Sequence, residues 1–582
     1  MRKIIPYLLV AMALAARFIP GPRTIDDSYI TFRYARNLVS GNGFVFNPGE
    51  YVQGTTTPLY TLLMAGLALP LGGAAAPFPV IALVVNALAD AATCLLLWQI
   101  GKRLGAEWAG LAAALVWAVA PYSVTFAIGG LETSLYVFLL TAMMAAYLWT
   151  PRGRTLTTLC AALALLTRPD AILLVAPLAL DRLWRAIRRR DREKLEWGET
   201  LAFVLPCLAW GIFATAYFGS PIPHSVTAKL AVYRLDDNAA LIRLIQHYAT
   251  PFMEYDAFGV VGIGIGLILY PFLYLVGARR AWRSQPRLLA WLVYPWLYFV
   301  VFAIPNPLLF RWYLTPPLPA YFLVILLGAE QVLSGLFRSA PSPLRGEGRV
   351  RGGFSLPGLL LHRNRPSLSP SPKGREIRAE GPGHLSDLST SVGREIRAEG
   401  SGQLSDSSSP MGRETKTGWR MWVPLVLLVA LPMAGMLNAW SLHPDHGPDR
   451  PAPTMAWFKL ELLYRQAADY LAPRLTSSSR LAAGDVGVLG FYTPARILDT
   501  VGLNSPESLR YYPLDKQFYV INYAIPSGLV LDQKPDYVVI LEVYARLTLL
   551  KDPRFSQQYT LLRTLPTDIY GSRGMLIFAR NP

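Results

Sequence analysis

The chain has 582 residues, of which 53% are hydrophobic and only 16% charged, whereas about 25% of the residues of an ordinary soluble domain are charged. This composition excludes a soluble globular protein, a fully disordered chain, a collagen and a secreted disulfide scaffold. Basic residues exceed acidic residues by 17, so their positions must decide between a nucleic-acid partner and a membrane orientation. Cys94, Cys160 and Cys207 lie in apolar runs, which predicts buried packing residues and neither a disulfide framework nor a metal site.

Apolar runs near the length that a bilayer requires predict a polytopic helical bundle of eleven spans. The runs at 155–167 and 170–184 are short, and the residues at 168–170 predict a tight turn between two half-buried helices. Residues 58–71 are apolar over only 14 positions, so we interpret them as an interfacial helix. The predicted spans are 4–19, 78–101, 108–127, 134–149, 155–167, 170–184, 199–217, 258–277, 288–304, 313–334 and 421–440.

The basic residues of the connecting loops predict the orientation of the bundle. With the N-terminus inside, the short inside segments hold 17 lysines and arginines, and the outside loops hold 9, from Arg17 to Arg311. If residues 58–71 crossed the membrane, the basic clusters would move to the other side. The pattern therefore predicts a cytoplasmic N-terminus and an extracytoplasmic C-terminus. An uncleaved first helix is the simpler interpretation of the N-terminus, and a cleaved signal peptide is the alternative.

The chain divides into four predicted parts. One part is rich in Ser, Pro, Gly and Arg and repeats the sequence Gly374–Gly381 with a period of 19, which predicts a disordered, basic cytoplasmic insert that the chemistry does not need. The part that follows the last span is nearly neutral and predicts a small α/β domain, with a helix at 457–471 and strands at 480–483, 496–498 and 537–541. The predicted parts are a transmembrane core at 1–334 with its first outside loop at 20–77, the insert at 335–420, the last span at 421–440 and the extracytoplasmic domain at 441–582.

The first outside loop carries two adjacent carboxylates, Asp26 and Asp27, directly after a span. Tyr29 and Arg33 follow at helical spacing. Adjacent carboxylates repel each other, so one of them can keep a raised pKa and act as a base, or the pair can bind a divalent cation. The structural alternative is a helix start, where Asp satisfies free backbone N–H groups.

Further ionisable groups recur at the same predicted membrane face, where such groups are functional candidates. Each also has a structural interpretation: a helix cap for Glu132, a lipid anchor for Arg168 and a loop position for His224. Asp90, in the middle of a span, can bond a neighbouring helix. The candidates at this face are Glu50, Glu132, Arg168, Asp170, His224, Lys229, Arg311 and Tyr313.

The motifs around these residues resemble those of the polytopic GT-C glycosyltransferases, and above all the branch with the mycobacterial terminal arabinofuranosyltransferases. The resemblance covers all of the chain except the insert. Residues 53–57 depart from it, reading Gln-Gly-Thr-Thr-Thr where relatives commonly have Glu-Gly-Tyr-Thr-Asn, and residues 223–227 read Pro-His-Ser-Val-Thr where relatives often have Pro-Asn-Thr. The motifs that carry the resemblance are Asp26–Ala35, Gly41–Tyr60, Gly130–Thr133, Arg168–Asp170, Ala228–Lys229 and Gly484–Gly487.

The resemblance implies that Asp26 deprotonates an acceptor hydroxyl, which attacks a polyprenyl-phosphate sugar with inversion at the outer face of the plasma membrane. It implies that Asp27 orients a group or, with Asp26, holds Mg or Mn, and that Arg168, Lys229 and Arg311 neutralise the leaving phosphate. The acceptor can be a glycan, a lipid or a protein, and no nucleic acid is implied. Substrate binding is expected of Tyr29, Arg33, Glu50, Glu132, Asp170, His224 and Tyr313.

Two other functions are weighed against this one. A transporter or flippase for lipid-linked sugars would show repeated halves with broken helices at the midplane, and the sequence shows no such repeat. A non-catalytic envelope scaffold leaves the polar groups at one membrane face unexplained. The run Gly484–Tyr492 lacks the spacing of a dinucleotide-binding turn, so we interpret it as a tight strand-to-helix connection near the acceptor.

Overall fold

The structure is a computed structural model that describes residues 3–149, 153–188, 196–252, 259–339, 418–441 and 456–582. Its first five ranges form a helical bundle, since apolar segments satisfy their backbone hydrogen bonds within helices. One apolar core extends through most of these helices. They are α1 (Ile5–Phe18), α2 (Asp26–Val39), α3 (Pro58–Ala68), α4 (Phe78–Arg103), α5 (Glu107–Val119), α6 (Pro121–Ile128), α7 (Thr133–Leu148), α8 (Arg154–Thr167), α9 (Ile172–Ile187), α10 (Trp197–Phe218), α11 (His224–Val232), α12 (Ala239–Ala249), α13 (Gly259–Ser284), α14 (Leu289–Ala303), α15 (Leu318–Ser339) and α16 (Gly418–Ser441).

The predicted span at 108–127 is two helices, because α5 and α6 meet at an angle of 44°. Pro121 begins α6, and Ala120 is not helical, since the residue before a proline avoids helical backbone. Of the described helices, five are long and apolar enough to cross a membrane, or six if this bent pair counts as one span. Each predicted run contains a described helix, but the count of eleven spans stays a prediction.

A buried ion pair ties the first helices of the bundle together. Arg17 in α1 donates from Nε to Oδ2 of Asp90 in α4 at 2.8 Å, and neither side chain is exposed. Asp90 also accepts hydrogen bonds from Trp117 in α5 and Ser134 in α7. The expectation that Arg17 lies in an outside loop is therefore wrong, because Arg17 belongs to α1. The interpretation that Asp90 forms hydrogen bonds to neighbouring helices is confirmed.

The C-terminal domain is a mixed five-stranded sheet with the strand order β2-β1-β3-β5-β4. β1 is parallel to β2 and β3, and β5 is antiparallel to β3 and β4. The sequence predicted the first three strands and missed β4 and β5, because β4 exposes five consecutive residues and has no alternating pattern. The elements are α17 (Ala456–Leu471), β1 (Arg480–Ala483), α18 (Gly487–Tyr492), β2 (Arg496–Asp499), α19 (Ser527–Gln533), β3 (Tyr537–Leu541), α20 (Glu542–Ala545), α21 (Pro553–Gln558), β4 (Tyr559–Leu565) and β5 (Met575–Arg580).

The predicted insert at 335–420 lies outside the described residues except at its ends. There α15 continues to Ser339 and α16 begins at Gly418.

The ion pair of Arg17 and Asp90 yields a first prediction. The variant Asp90→Asn leaves a buried guanidinium without its countercharge, which should lower the free energy of unfolding by about 3–5 kcal/mol. Denaturant unfolding of the purified chain in detergent micelles measures this loss. The double variant Arg17→Met with Asp90→Leu removes both charges and should recover only part of it, because Trp117 and Ser134 then lose their acceptor. Wild-type stability of Asp90→Asn would contradict the role assigned to the pair.

Candidate active site

Helix α2 of the first loop packs against α18 of the C-terminal domain, and we call this contact the seam. The carboxylate of Asp26, the first residue of α2, accepts hydrogen bonds from the backbone N–H groups of Gly487 at 2.9 Å and Val488 at 2.8 Å. Both donors lie in the first turn of α18, where N–H groups lack partners within the helix. The capping role considered for the acidic pair therefore exists, but it serves a helix of another domain.

Two glycines allow this close approach. A Cβ atom on Gly487 would overlap the backbone oxygen of Asp26, and one on Gly490 would lie 2.6 Å from Nη1 of Arg33. Arg33 is buried, donates to the backbone oxygen of Phe46 at 2.7 Å and also donates to that of Gly490. The structure thus places Arg33, a predicted substrate-binding residue, in the seam.

Two more predicted substrate-binding residues lie at contacts with the C-terminal domain. The hydroxyl of Tyr29 lies 3.2 Å from that of Tyr492 and 3.4 Å from Oε1 of Glu461. Glu50 forms an ion pair with Arg496 at the start of β2. The hydroxyl of Tyr29 and the carboxylate of Glu50, which were predicted to bind substrate, are therefore bonded to the C-terminal domain.

A cavity of about 810 Å³ opens beside the seam, between the first loop, α11, α12 and the C-terminal domain. Asp26 and Asp27 line it, together with Lys229 from α11 and Asp485 from the loop between β1 and α18. Cavities of this size with a few convergent polar groups are the usual form of a small-molecule site. Its aromatic lining residues are Tyr233, Phe310, Trp312, Tyr519, Tyr523, Tyr544 and Tyr570, and its further basic lining residues are Arg234, Arg243 and Lys516.

Asp27 and Lys229 form a pair of opposite charges on the cavity wall. Burial raises the pKa of Asp27 above its ordinary value, and the ammonium of Lys229 opposes the rise. Burial alone would lower the pKa of Lys229, but the neighbouring Tyr313 and Asp27 raise it above its ordinary value. Lys229 therefore stays a cation beside a carboxylate whose basicity burial has increased.

Asp485 lines the cavity but was not among the predicted site residues. Its motif, Gly484–Gly487, belonged to the resemblance, and this was the only signal. The hydroxyl of Tyr464 donates to Oδ2 of Asp485 at 3.0 Å. Burial raises the pKa of Asp485, and the charge of Asp27 raises it further.

Arg168, Glu132 and Asp170 form an ion cluster that does not line the cavity. Arg168 pairs with Glu132 at 3.1 Å and with Asp170 at 2.9 Å. Tyr298 donates to Asp170 at 3.2 Å, and the guanidinium lies 4.5 Å from the ring centroid of Tyr313. Two carboxylates balance the charge of Arg168, and none of the three residues lines the cavity, although Arg168 and Lys229 both lie over the ring of Tyr313.

His224 and Arg311 do not line the cavity either. The backbone N–H of His224 donates to the backbone oxygen of Gln53 at 2.9 Å, which ties the start of α11 to the first loop. Burial lowers the pKa of the His224 imidazole. Arg311 lies between Phe310 and Trp312, which line the cavity, but is not itself a lining residue.

The pair Asp26 and Asp27 does not fit the divalent cation that the resemblance allows. Asp26 is only 5% exposed, and each of its carboxylate oxygens accepts a backbone N–H bond. Among the residues that the structure describes, no three His, Cys, Asp or Glu side chains come together as a metal site. Mg or Mn therefore stays a prediction of the resemblance, and no step below depends on it.

Comparisons with known proteins agree with this architecture. Residues 57–213 match the family described as dolichyl-phosphate-mannose-protein mannosyltransferase, and residues 456–578 match a domain of unknown function. The fold is similar to that of ArnT from Cupriavidus metallidurans bound to undecaprenyl phosphate, with a TM-score of 0.50 and 12% identity over 98% of this chain and 97% of that chain. It is also similar to the Archaeoglobus fulgidus oligosaccharyltransferase tethered with an acceptor peptide, with a TM-score of 0.51 and 11% identity over 99% and 74% of the two chains. The fold is that of the GT-C membrane glycosyltransferases.

A curated relative specifies the branch. The chain is 31% identical over 225 residues to the terminal β-(1→2)-arabinofuranosyltransferase of Mycobacterium tuberculosis. The match covers 35% of this chain and 34% of the relative, so the chain spans about a third of that protein's length. These matches support the resemblance found in the sequence, which is to the GT-C glycosyltransferases and above all to the arabinofuranosyltransferase branch.

The close packing at Gly487 yields a second prediction. The variant Gly487→Ala places a methyl group against the backbone of Asp26 and should loosen the C-terminal domain from α2. Limited proteolysis in micelles should then cleave the chain between the two parts faster than in the wild type. The matched control is Gly66→Ala in α3, where an added Cβ meets nothing within 4 Å. Equal cleavage rates for the two variants would show that the seam tolerates the methyl group.

Proposed function

We propose that the chain transfers a sugar from a polyprenyl-phosphate carrier to a hydroxyl group of an envelope acceptor. The observation that carries the proposal is the placement of Asp27 and Lys229 on the wall of one cavity. Glycosyl transfer from a phosphate carrier needs both charges, because the acceptor must lose a proton and the leaving phosphate must be neutralised. The family matches support the same reaction class.

Asp27 takes the role of base in this proposal, in place of Asp26, because both oxygens of Asp26 are bonded in the seam. The acceptor oxygen attacks the anomeric carbon, and its proton passes to Asp27. The bond between that carbon and the phosphate oxygen breaks, its electron pair leaves with polyprenyl phosphate, and the configuration inverts. Lys229 lies beside the leaving phosphate, and a fixed ammonium stabilises the charge without reorganising.

The nature of the donor is supported by the neighbours. ArnT is described with undecaprenyl phosphate bound, and the oligosaccharyltransferase with an acceptor peptide. Only 6% of the residues in the most apolar stretch of α10 are buried, and only 11% of those in α13. Most of the apolar surface of these two helices is therefore left for lipid. A lipid-linked pentose or hexose is the proposed donor, and a glycan, lipid or protein is the acceptor.

The proposed location is the inner membrane, with the cavity on the extracytoplasmic side. The first loop follows α1 and the C-terminal domain follows α16, yet the seam holds them against each other. An even number of crossings must therefore separate them, which the predicted spans satisfy. Basic clusters favour the cytoplasm, which supports a cytoplasmic N-terminus and an extracytoplasmic C-terminal domain.

The assignment of the base yields a third prediction. The variant Asp27→Asn should lower the rate of sugar transfer by about 10²- to 10⁴-fold without changing protease resistance. Asp26→Asn, the matched control, should weaken the seam and increase cleavage. Transfer from polyprenyl-phosphate sugars in reconstituted membranes measures the rate. Full transfer by Asp27→Asn would remove it as the base, and loss of transfer by Asp26→Asn with normal protease resistance would make Asp26 the base.

The proposed phosphate contact yields a fourth prediction. The variant Lys229→Gln removes the cation beside Asp27 and should lower kcat by about 10²- to 10³-fold. Lys551→Gln, at an exposed position of the C-terminal domain, controls for the change in net charge. Arg311→Gln should have a smaller effect because Arg311 does not line the cavity. An equal loss of kcat in Arg311→Gln would locate the phosphate beside Arg311 instead.

A further inference from the structure

Asp485 lies where an α/β sheet commonly binds ligands. The chain leaves β1 for β2 on one side, while β3 pairs with the other side of β1. A crevice therefore lies outside the carboxyl ends of β1 and β3, and ligands of open α/β sheets bind at such switch points. Asp485 follows the end of β1, Tyr544 follows the end of β3, and both line the cavity.

The loop that carries Asp485 is held in place. Tyr464, on α17, donates to Oδ2 of Asp485 at 3.0 Å. The next turn of chain is fixed at Gly487 by the carboxylate of Asp26. Within the part of the chain that the structure describes, Oδ1 of Asp485 has no hydrogen-bond partner, and the residue is half-buried at the cavity wall.

Aromatic rings surround this carboxylate. The rings of Tyr523 and Tyr544 lie 5.0 Å apart between centroids, and Tyr233 lies 6.3 Å from Tyr523. Tyrosine presents a flat apolar face together with a hydroxyl group. A carboxylate oxygen beside such faces suits a molecule that has both a C–H surface and several hydroxyl groups.

We propose that Asp485 positions the acceptor and that the acceptor is polyhydroxylated. Oδ1 accepts a hydrogen bond from a second acceptor hydroxyl, next to the one that loses its proton to Asp27, and the acceptor packs on Tyr544. The C-terminal domain thereby supplies one wall of the active site. This inference rests on the proposed function, in which Asp27 and Lys229 serve the chemical step.

The test compares transfer to an acceptor with transfer to water in the full chain, reconstituted in membranes. The probes are polyprenyl-phosphoryl arabinofuranose as donor and a short arabinofuranose oligosaccharide as acceptor. The variant Asp485→Asn keeps the shape of the side chain and an acceptor for Tyr464. It should raise the KM for the oligosaccharide about 10- to 100-fold, the value of a lost hydrogen bond to a charged group, while hydrolysis of the donor, which needs no second hydroxyl, changes by a smaller factor.

Two further variants separate positioning from folding. Tyr464 does not line the cavity. The variant Tyr464→Phe removes the hydrogen bond to Oδ2 of Asp485 and should raise the same KM by a smaller factor, because the carboxylate itself remains. Asp469→Asn, whose side chain is 62% exposed on α17, should change neither KM nor hydrolysis. An unchanged KM in Asp485→Asn, or equal losses of transfer and hydrolysis, would overturn the inference and leave the proposed function standing. A wild-type chain that releases no sugar from any polyprenyl-phosphate donor would overturn the proposed function and the inference with it.

Discussion

The hydrogen bonds from Gly487 and Val488 to the carboxylate of Asp26 are the contact on which the candidate site depends. They join the first turn of α18 to the first turn of α2. The loop that precedes α18 is therefore held next to the start of α2. A buried carboxylate must be hydrogen-bonded, and the first N–H groups of a helix need acceptors. Each side therefore satisfies a requirement of the other, and Asp27 and Asp485 come to line the same cavity.

This constraint explains why neighbouring residues of one motif have different roles. Asp26 and Asp27 both line the cavity, but the carboxylate of Asp26 is bonded to the C-terminal domain, as are the side chains of Tyr29 and Arg33. A helix places successive side chains on different faces, so adjacent positions in the sequence can serve structure and chemistry separately. The residues of the seam are needed for activity indirectly, because they hold the cavity wall formed by Asp485.

Ionic groups within the described bundle also divide into those that hold the structure together and those that are available for chemistry. Arg17 with Asp90, and Arg168 with its two carboxylates, are buried charges with matched partners. Such groups join helices, since a buried charge without a partner is costly. Lys229 differs because it shares the cavity wall with Asp27, and a fixed charge in a partly desolvated site can act on a substrate.

The sequence by itself determined the fold class and three of the five strands, and it predicted the loop that begins at Asp26 as part of the site. Hydropathy runs and helical or alternating periods are local properties, so they can be read along the chain. Only the tertiary structure decided which of the predicted residues meet: it left Arg168 and Arg311 out of the cavity lining and brought in Asp485. The position of Asp485 depends on contacts between residues more than 450 positions apart, and the spacing of residues along a chain carries no information about such contacts.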